Sequence, residues 1–245
     1  GISVCAAFNC DEEIGSIHSR PWLETLARKS RRVLILEGAR ADGALVNERK
    51  GVGRYFADFS GVAAHAGVEP EKGRSAIVEM GHWIVALDQL NNFDLGTTVN
   101  TGVVSGGTVP NMVADIAAAK IDLRFKVPSE AARVDEAIRK LEAKPTIQGV
   151  TTKVKGGVTR PPMIPSKETL KLCRNIEEIG SELHFPVKWT ATGGGSDGNF
   201  SAALGIPTID GLGPRSGRAH SPDEYMEIDS VEPHFHLLRE IIKRT

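Results

Sequence analysis

The stretch ISVCAAFNCDEEIGS (Ile2 to Ser16) sets three acidic residues in a row directly behind an apolar run, and the reading of that junction decides the fold. Val4, Cys5, Ala6, Ala7 and Phe8 are apolar without alternation, the pattern of a short strand buried on both faces of a parallel sheet. Asp11, Glu12 and Glu13 then fall at its C-terminal end, and ligand crevices of open α/β sheets lie outside the carboxyl ends of their strands. Consecutive carboxylates repel, and holding them beside a buried strand is unfavourable unless a metal, a proton or a cation compensates. The same triplet also reads as the first turn of a helix, where acids complement the macrodipole. A second acid shifts the balance toward the metal. Ser19 reads as an N-cap, and Pro21 to Lys29 as a helix with Trp22, Leu23 and Leu26 toward the core. VLILEG (Val33 to Gly38) then repeats a buried strand ending in an acid, which predicts Glu37 near Glu12 and Glu13.

The chain has 245 residues, 40% of them hydrophobic and 25% charged, as in an ordinary globular protein with room for one large domain or two small ones. Thirty basic against thirty-one acidic residues leave a formal charge of −1, so no global field recruits nucleic acid or an anionic membrane. Small-molecule or peptide substrates fit better. Three cysteines (Cys5, Cys10, Cys173) lack metal-knuckle spacing, and Cys5 and Cys173 read as small core hydrophobes. No apolar run approaches the length of a membrane span, and nothing resembles a signal peptide. The chain begins without methionine on strand-like sequence, so an N-terminal portion is expected to be missing. The cytoplasm is then the default location, with the periplasm left open because an export signal would lie upstream.

Residues 39–50 read as a polar connection with a turn at Asp42-Gly43. Val52 to Ser60 alternates like a strand, and Gly73 to Leu90 carries Ile77, Met80, Ile84 and Leu87 at helical spacing. Thr97 to Ser105 and Met112 to Val127 read as strands, Ser129 as the cap of a helix through Lys144, and Thr151 to Lys155 as a last strand. The order β-α-β-β-α-β is that of a ferredoxin-like split. From Arg160 the first pattern resumes: a helix over Lys167 to Leu183, a strand at Val187 to Thr190, a strand at Thr208 to Asp210, a long loop from Gly211 to Tyr225, and a closing helix over Val231 to Arg244 with Ser230 as cap. The predicted class is α/β: a mostly parallel sheet flanked by helices, in residues 1–50 and 159–245, interrupted by an inserted ferredoxin-like (βαββαβ) domain at residues 51–158.

Three later features join the early acids. His220, in RAHSPDEY, sits on a Gly/Pro-rich loop able to aim an imidazole at a metal, although a lone loop histidine is more often solvated. TGGGSDG offers backbone N–H groups to an oxyanion or a carboxylate. His65 lies between the inserted domain's first strand and helix, where it also reads as loop polarity.

Taken together, NCDEEIGS, LEG, AAHAGVEPEKGRSA, GGTVPNMVAD, IDLRF, RPPM, TGGGSDGN and RAHSPDEY resemble, in order and over essentially the whole chain, the di-zinc metallopeptidase family of glutamate carboxypeptidase, aminoacylase, acetylornithine deacetylase and succinyl-diaminopimelate desuccinylase. The glutamate carboxypeptidase branch is nearest. The resemblance implies Glu12 as the general base, Glu13 and His220 as ligands of one zinc and Glu37 of the other, with cobalt or manganese as possible substitutes. It implies His65 acting in trans on the oxyanion of a partner subunit. Asn111, Arg124, Arg160 and the Gly193, Gly194, Gly195 loop would recognise a carboxylate, a task suited to the planar fork of arginine. The family's upstream His-x-Asp motif and bridging aspartate have no counterpart in these residues, so this chain alone is expected to be inactive, and either a companion N-terminal fragment completes it or it is a truncated product. The expected function is zinc-dependent hydrolysis of a peptide or N-acyl amide bond beside a C-terminal, glutamate-like residue, in a homodimer. The alternatives are an N-acyl amino acid deacylase or desuccinylase, and an inactive dimerising or ligand-binding module.

Overall fold

A computed structural model describes residues 2–245. The chain divides into two compact units, one built from residues up to Lys50 and from Arg160 onward, the other from Gly51 to Thr159.

The first unit does not open on a strand. Val4 is 65% and Phe8 87% exposed, Cys5 is exposed, and Val4 to Phe8 join no ladder among the described residues. An apolar run becomes a strand only where neighbouring backbone satisfies its N–H and C=O groups, and here none does. The acidic triplet starts a turn instead of a helix: Gly15 N donates to Glu12 O (2.8 Å) and Ser16 N to Asp11 O (2.7 Å). Helix α1 (Arg20–Arg28) buries Ala27, while Trp22, expected inward, is 45% exposed. Ser19 precedes α1 but does not cap it, because its hydroxyl accepts from Asn9 (3.0 Å).

VLILEG is a broken, half-buried strand: β1 (Val33–Leu34), then an exposed Leu36, then β2 (Gly38–Ala39). Residues 39–50, read as a polar connection, contain β3 (Leu45–Arg49) with Leu45 and Val46 fully buried. The Asp42-Gly43 turn precedes it, with Gly43 at φ +80° and Ala44 N held by Asp42 Oδ1 (3.1 Å).

The second unit begins with β4 (Gly51–Ser60), whose side chains alternate between core and solvent as the sequence pattern requires. Then follow β5 (Ala64–His65), α2 (Ala76–Asp88), β6 (Thr98–Gly106), β7 (Met112–Val113), β8 (Ile116–Phe125), α3 (Pro128–Ala143) and β9 (Thr151–Arg160). The expected strand over Met112 to Val127 is thus two, and that over Thr151 to Lys155 runs on to Arg160. Ser75 caps α2 by accepting from Val78 N. Ser129 does not cap α3, since Pro128 already fills the first turn and Val127 stands before it. The sheet runs β6-β8-β4-β9, with β8 antiparallel to both β6 and β4. Its core joins Tyr55, Phe59, Leu123 and Phe125 to Trp83, Leu87, Val134 and Ile138 of the two helices. Trp83 meets Phe59 edge-on, ring centroids 5.3 Å apart. Ile77 is 39% exposed, and the adjoining buried Glu79 accepts from Trp83 Nε1, Thr146 N and Ile147 N.

The first unit resumes with α4 (Lys167–Glu182), capped by Ser166, then β10 (Trp189–Thr192), α5 (Gly198–Ala203), β11 (Thr208–Ile209), β12 (Gly213–Gly217), β13 (Tyr225–Met226) and α6 (Val231–Arg244). The pairs β1/β11, β3/β10 and β2/β12 are parallel, and β12/β13 is antiparallel. The stretch from Gly211 to Tyr225 is therefore not wholly loop, because β12 borrows β2 as its neighbour. Ser230 is not a side-chain cap of α6, its hydroxyl being held between Glu227 O (2.6 Å) and Arg215 N (2.9 Å). Leu172, Cys173, Ile176 and Ile179 of α4 pack with Leu237 and Ile241 of α6 on Leu45 and Ile209. Where the chain leaves and rejoins this unit, Arg49 and Met163 exchange both backbone hydrogen bonds (3.0 and 2.9 Å), and Asn199 Nδ2 donates to Lys50 O (3.1 Å) and Pro161 O (2.7 Å). In the second unit, Thr159 at the end of β9 donates to Val52 O (3.2 Å). No helix among the described residues is long and apolar enough to cross a membrane.

Candidate active site

Three loops of the first unit carry its acids: the turn after Cys10, the β1–β2 junction and the β10–α5 connection. Arg160 ties the first to the third. Nearly buried, it donates through Nη2 to Glu12 Oε1 (2.8 Å), Glu12 O (3.1 Å) and Ser16 Oγ (3.2 Å), and through Nη1 to Asp197 Oδ1 (2.9 Å). Ser16 Oγ also donates to Asp197, whose other oxygen takes Asn9 Nδ2 (2.8 Å). The guanidinium lies over the Phe200 ring at 4.9 Å, a contact that fixes its plane. Asp11 serves the same turn structurally, accepting from His18 N (2.8 Å) and Ser19 N (3.2 Å).

Burial raises the Glu12 carboxyl to about 6; Arg160 opposes the rise, and the negative charges of Glu37, Asp197 and Glu13 add to it. Glu37 is raised likewise, by burial and then by Asp210, with Arg49 opposing. Glu13 and His220 are both exposed, and Glu13 Oε2 stands 3.8 Å from His220 Nδ1. His220 holds φ +63°, a left-handed conformation uncommon for a side-chain-bearing residue, and its N–H donates to Glu224 (3.1 Å).

Gly193 and Gly194 are exposed and Gly195 is half-buried in the loop between β10 and α5. Beneath them lies an ion pair that sequence reasoning did not single out. Arg49 Nε and Nη2 bind Asp210 Oδ2 (2.7 Å) and Oδ1 (2.9 Å), both side chains being buried, and Arg49 Nη1 donates to Gly194 O (3.1 Å). The available signals were weak: Arg49 stands in NERK, which looks solvated, and Asp210 lies 161 residues away.

The remaining predicted residues belong to the second unit. His65 pairs with Met112 in the short β5/β7 ladder, is exposed, and accepts from Gly67 N through Nδ1 (3.1 Å). Asn111 adjoins it, its carbonyl accepting from Ala66 N (2.9 Å). Arg124 is not brought to them: it sits near the far end of β8, opposite Val52 and Thr98, with its fork on Asp122 (2.8 and 2.9 Å).

Carboxylate and imidazole donors suit zinc, whose closed sites need about four ligands. Glu13 and His220 approach one another as such donors would, but no three His, Cys, Asp or Glu side chains among the described residues converge as a metal-binding group. These residues fit part of a metal site and do not close one.

Residues 47–150 match the peptidase dimerisation domain. The chain is 27% identical to carboxypeptidase G2 of Pseudomonas sp. (strain RS-16), over 98% of its own length and 59% of that protein's. It is also 27% identical to the succinyl-diaminopimelate desuccinylase of Janthinobacterium sp. (strain Marseille), over 64% of this chain and 40% of the relative. Among solved structures it resembles a tripeptidase from Staphylococcus aureus, with a TM-score of 0.78 and 26% identity over 95% of this chain and 61% of that one. Aminopeptidase PepT from Bacillus cereus shares the fold, with a TM-score of 0.76 at 24% identity over 95% of this chain and 62% of that one. The fold and these relatives define a metallopeptidase-type α/β protein with an inserted dimerisation domain. The matched domain is the dimerisation domain of M20 peptidases, and carboxypeptidase G2 and the desuccinylase are relatives to which this chain is similar. It spans about three fifths of the length of carboxypeptidase G2 and of the tripeptidase.

Proposed function

We propose that this chain is the larger part of a zinc-dependent hydrolase that cleaves a peptide or N-acyl amide bond beside a C-terminal, glutamate-like amino acid. The observation that carries the reading is the approach of Glu13 to His220, 3.8 Å apart, next in sequence to a Glu12 carboxylate that Arg160 grips at 2.8 Å and that burial raises to about 6. A general base works best with a pKa near the working pH. Near neutrality Glu12 is ionised and basic enough to accept a proton from water. Arg160 occupies Glu12 Oε1, which leaves Oε2 as the oxygen that takes the proton. Glu13 and His220 would hold one zinc and Glu37 the other, and the metal would supply Lewis acidity and lower the pKa of water. The Gly193 to Gly195 amides orient the substrate carboxylate, aided by an arginine.

In the same reading, residues 51–158 join two copies. β6 is an edge strand with Val103 53% and Val104 50% exposed, and Val85 of α2 is 65% exposed. The opposite edge, β9, carries Lys153, Lys155 and a Gly156-Gly157 irregularity at positive φ, features that discourage strand addition. His65 then acts on the partner's substrate. The decisive experiment is zinc-dependent release of glutamate from N-acyl and peptidyl glutamates by the complete gene product. Absence of turnover on every C-terminal amino acid amide tried, with metal bound at two per protomer, refutes the hydrolase and favours a dimerising module.

A further inference from the structure

The three glycines at 193–195 have no side chains with which to pack, and a Cβ placed at Gly193 would meet no atom within 4 Å. The loop's shape depends on what grips its backbone. Arg49 and Asp210 sit on firm supports, because Arg49 ends β3 and Asp210 exchanges backbone hydrogen bonds with Val46 of that strand (2.8 and 2.9 Å). Arg49 uses two donors on Asp210 and sends a third to the Gly194 carbonyl (3.1 Å). Asp210 accepts the Ser196 hydroxyl, and Ser196 Oγ in turn accepts from Gly198 N (3.1 Å). The pair therefore holds the loop at two points, at Gly194 and at Ser196. A buried ion pair is a weak source of stability compared with apolar packing. The fixed fork geometry is what an apolar replacement would not reproduce.

We propose that the buried Arg49–Asp210 pair is a positioning device that sets the affinity of the glycine loop for the substrate's carboxylate. The proposal rests on the hydrolytic reading above. Neither residue contacts substrate; both act through Gly194 and Ser196.

The test uses the complete protein and Arg49→Lys, which keeps a positive charge beside Asp210 but lacks the planar fork that binds both Asp210 oxygens while a third nitrogen reaches Gly194. Calorimetry measures the Kd of free L-glutamate for the metal-free protein, and kinetics on a peptidyl glutamate give KM and kcat separately. Expected are a Kd and a KM each raised about tenfold, with kcat lowered less than about threefold. Ser196→Ala releases only the second grip and is expected to raise both constants by about threefold, which keeps the test open should Arg49→Lys fail to fold. If the folded variants merely melt earlier, with Kd and KM at wild-type values, the pair is structural and the proposal is overturned. A wild-type protein that neither binds glutamate nor cleaves its amides defeats the hydrolytic reading and this proposal together. An active wild type with unaffected variants defeats the positioning role alone.

Discussion

Replacing Glu12 by Gln is expected to strengthen the fold at neutral pH while removing the base. The Glu12 carboxyl, 27% exposed, is raised in the folded chain from 4.5 to about 6. A folded pKa above the unfolded one means that the native state binds the proton more tightly. The associated stability is fully present below about 4.5 and is lost as pH rises through about 6. The displacement corresponds to roughly 2 kcal/mol by which folding disfavours the ionised form. Gln stays neutral, nearly matches Glu in shape, and still accepts from Arg160, so it escapes that penalty. In urea, with an m-value of about 2 kcal/mol/M, the midpoint of Glu12→Gln should exceed that of wild type by roughly 1 M at pH 8. The gap should close toward pH 4.5. The assay is urea unfolding of the first unit followed by circular dichroism at several pH values, with chelator present. A variant less stable than wild type at pH 8, or a gap that ignores pH, would show that Arg160 fully compensates the charge and that Glu12 is an ordinary paired carboxylate.

Further substitutions address other parts of the molecule. Trp83→Ala empties the centre of the second unit and should cost about 3–5 kcal/mol in calorimetric or denaturant unfolding. Gly61→Ala would place a Cβ 1.9 Å from the Arg74 carbonyl oxygen, so about 3 kcal/mol should be lost from the same unit. His220→Ala, at an exposed position, should change stability by less than about 0.5 kcal/mol. In the complete protein the same change should lower zinc-dependent turnover by about a hundredfold or more, measured with metal content determined in parallel. Val85→Glu should shift the sedimentation coefficient from dimer to monomer without altering the circular dichroism spectrum.

Those elements whose own side chains announce their surroundings were legible in the sequence. β4 alternates because one face of a covered sheet is wet, and the stripe read on α6 from Leu238, Ile241 and Ile242 has the right period, although the helix buries Leu237 and Ile241. β3 was misread because Glu48 and Arg49 look solvated, whereas Arg49 is buried through a partner 161 residues away. Val4 to Phe8 failed for the opposite reason: apolar side chains suggest a buried strand, but a strand also needs neighbouring backbone. In the site, the acids and His220 were marked by their place in the chain. The polar residues around them, Asp197, Ser16 and Asn9 beside Arg160 and the Arg49–Asp210 pair under the glycine loop, were not, since polar residues declare their partners only in three dimensions.

The backbone bonds between Arg49 and Met163, and the Asn199 amide bridging Lys50 and Pro161, leave the first unit with two severed ends side by side. In the second unit, Val52 and Thr159 likewise lie on adjoining strands. The segment of more than a hundred residues between them thus begins and ends at neighbouring points of the first unit, and its removal would leave a gap that a tight turn can bridge. Exchange of this cassette for another, or its deletion, is a short genetic step that leaves the host's internal wiring in place.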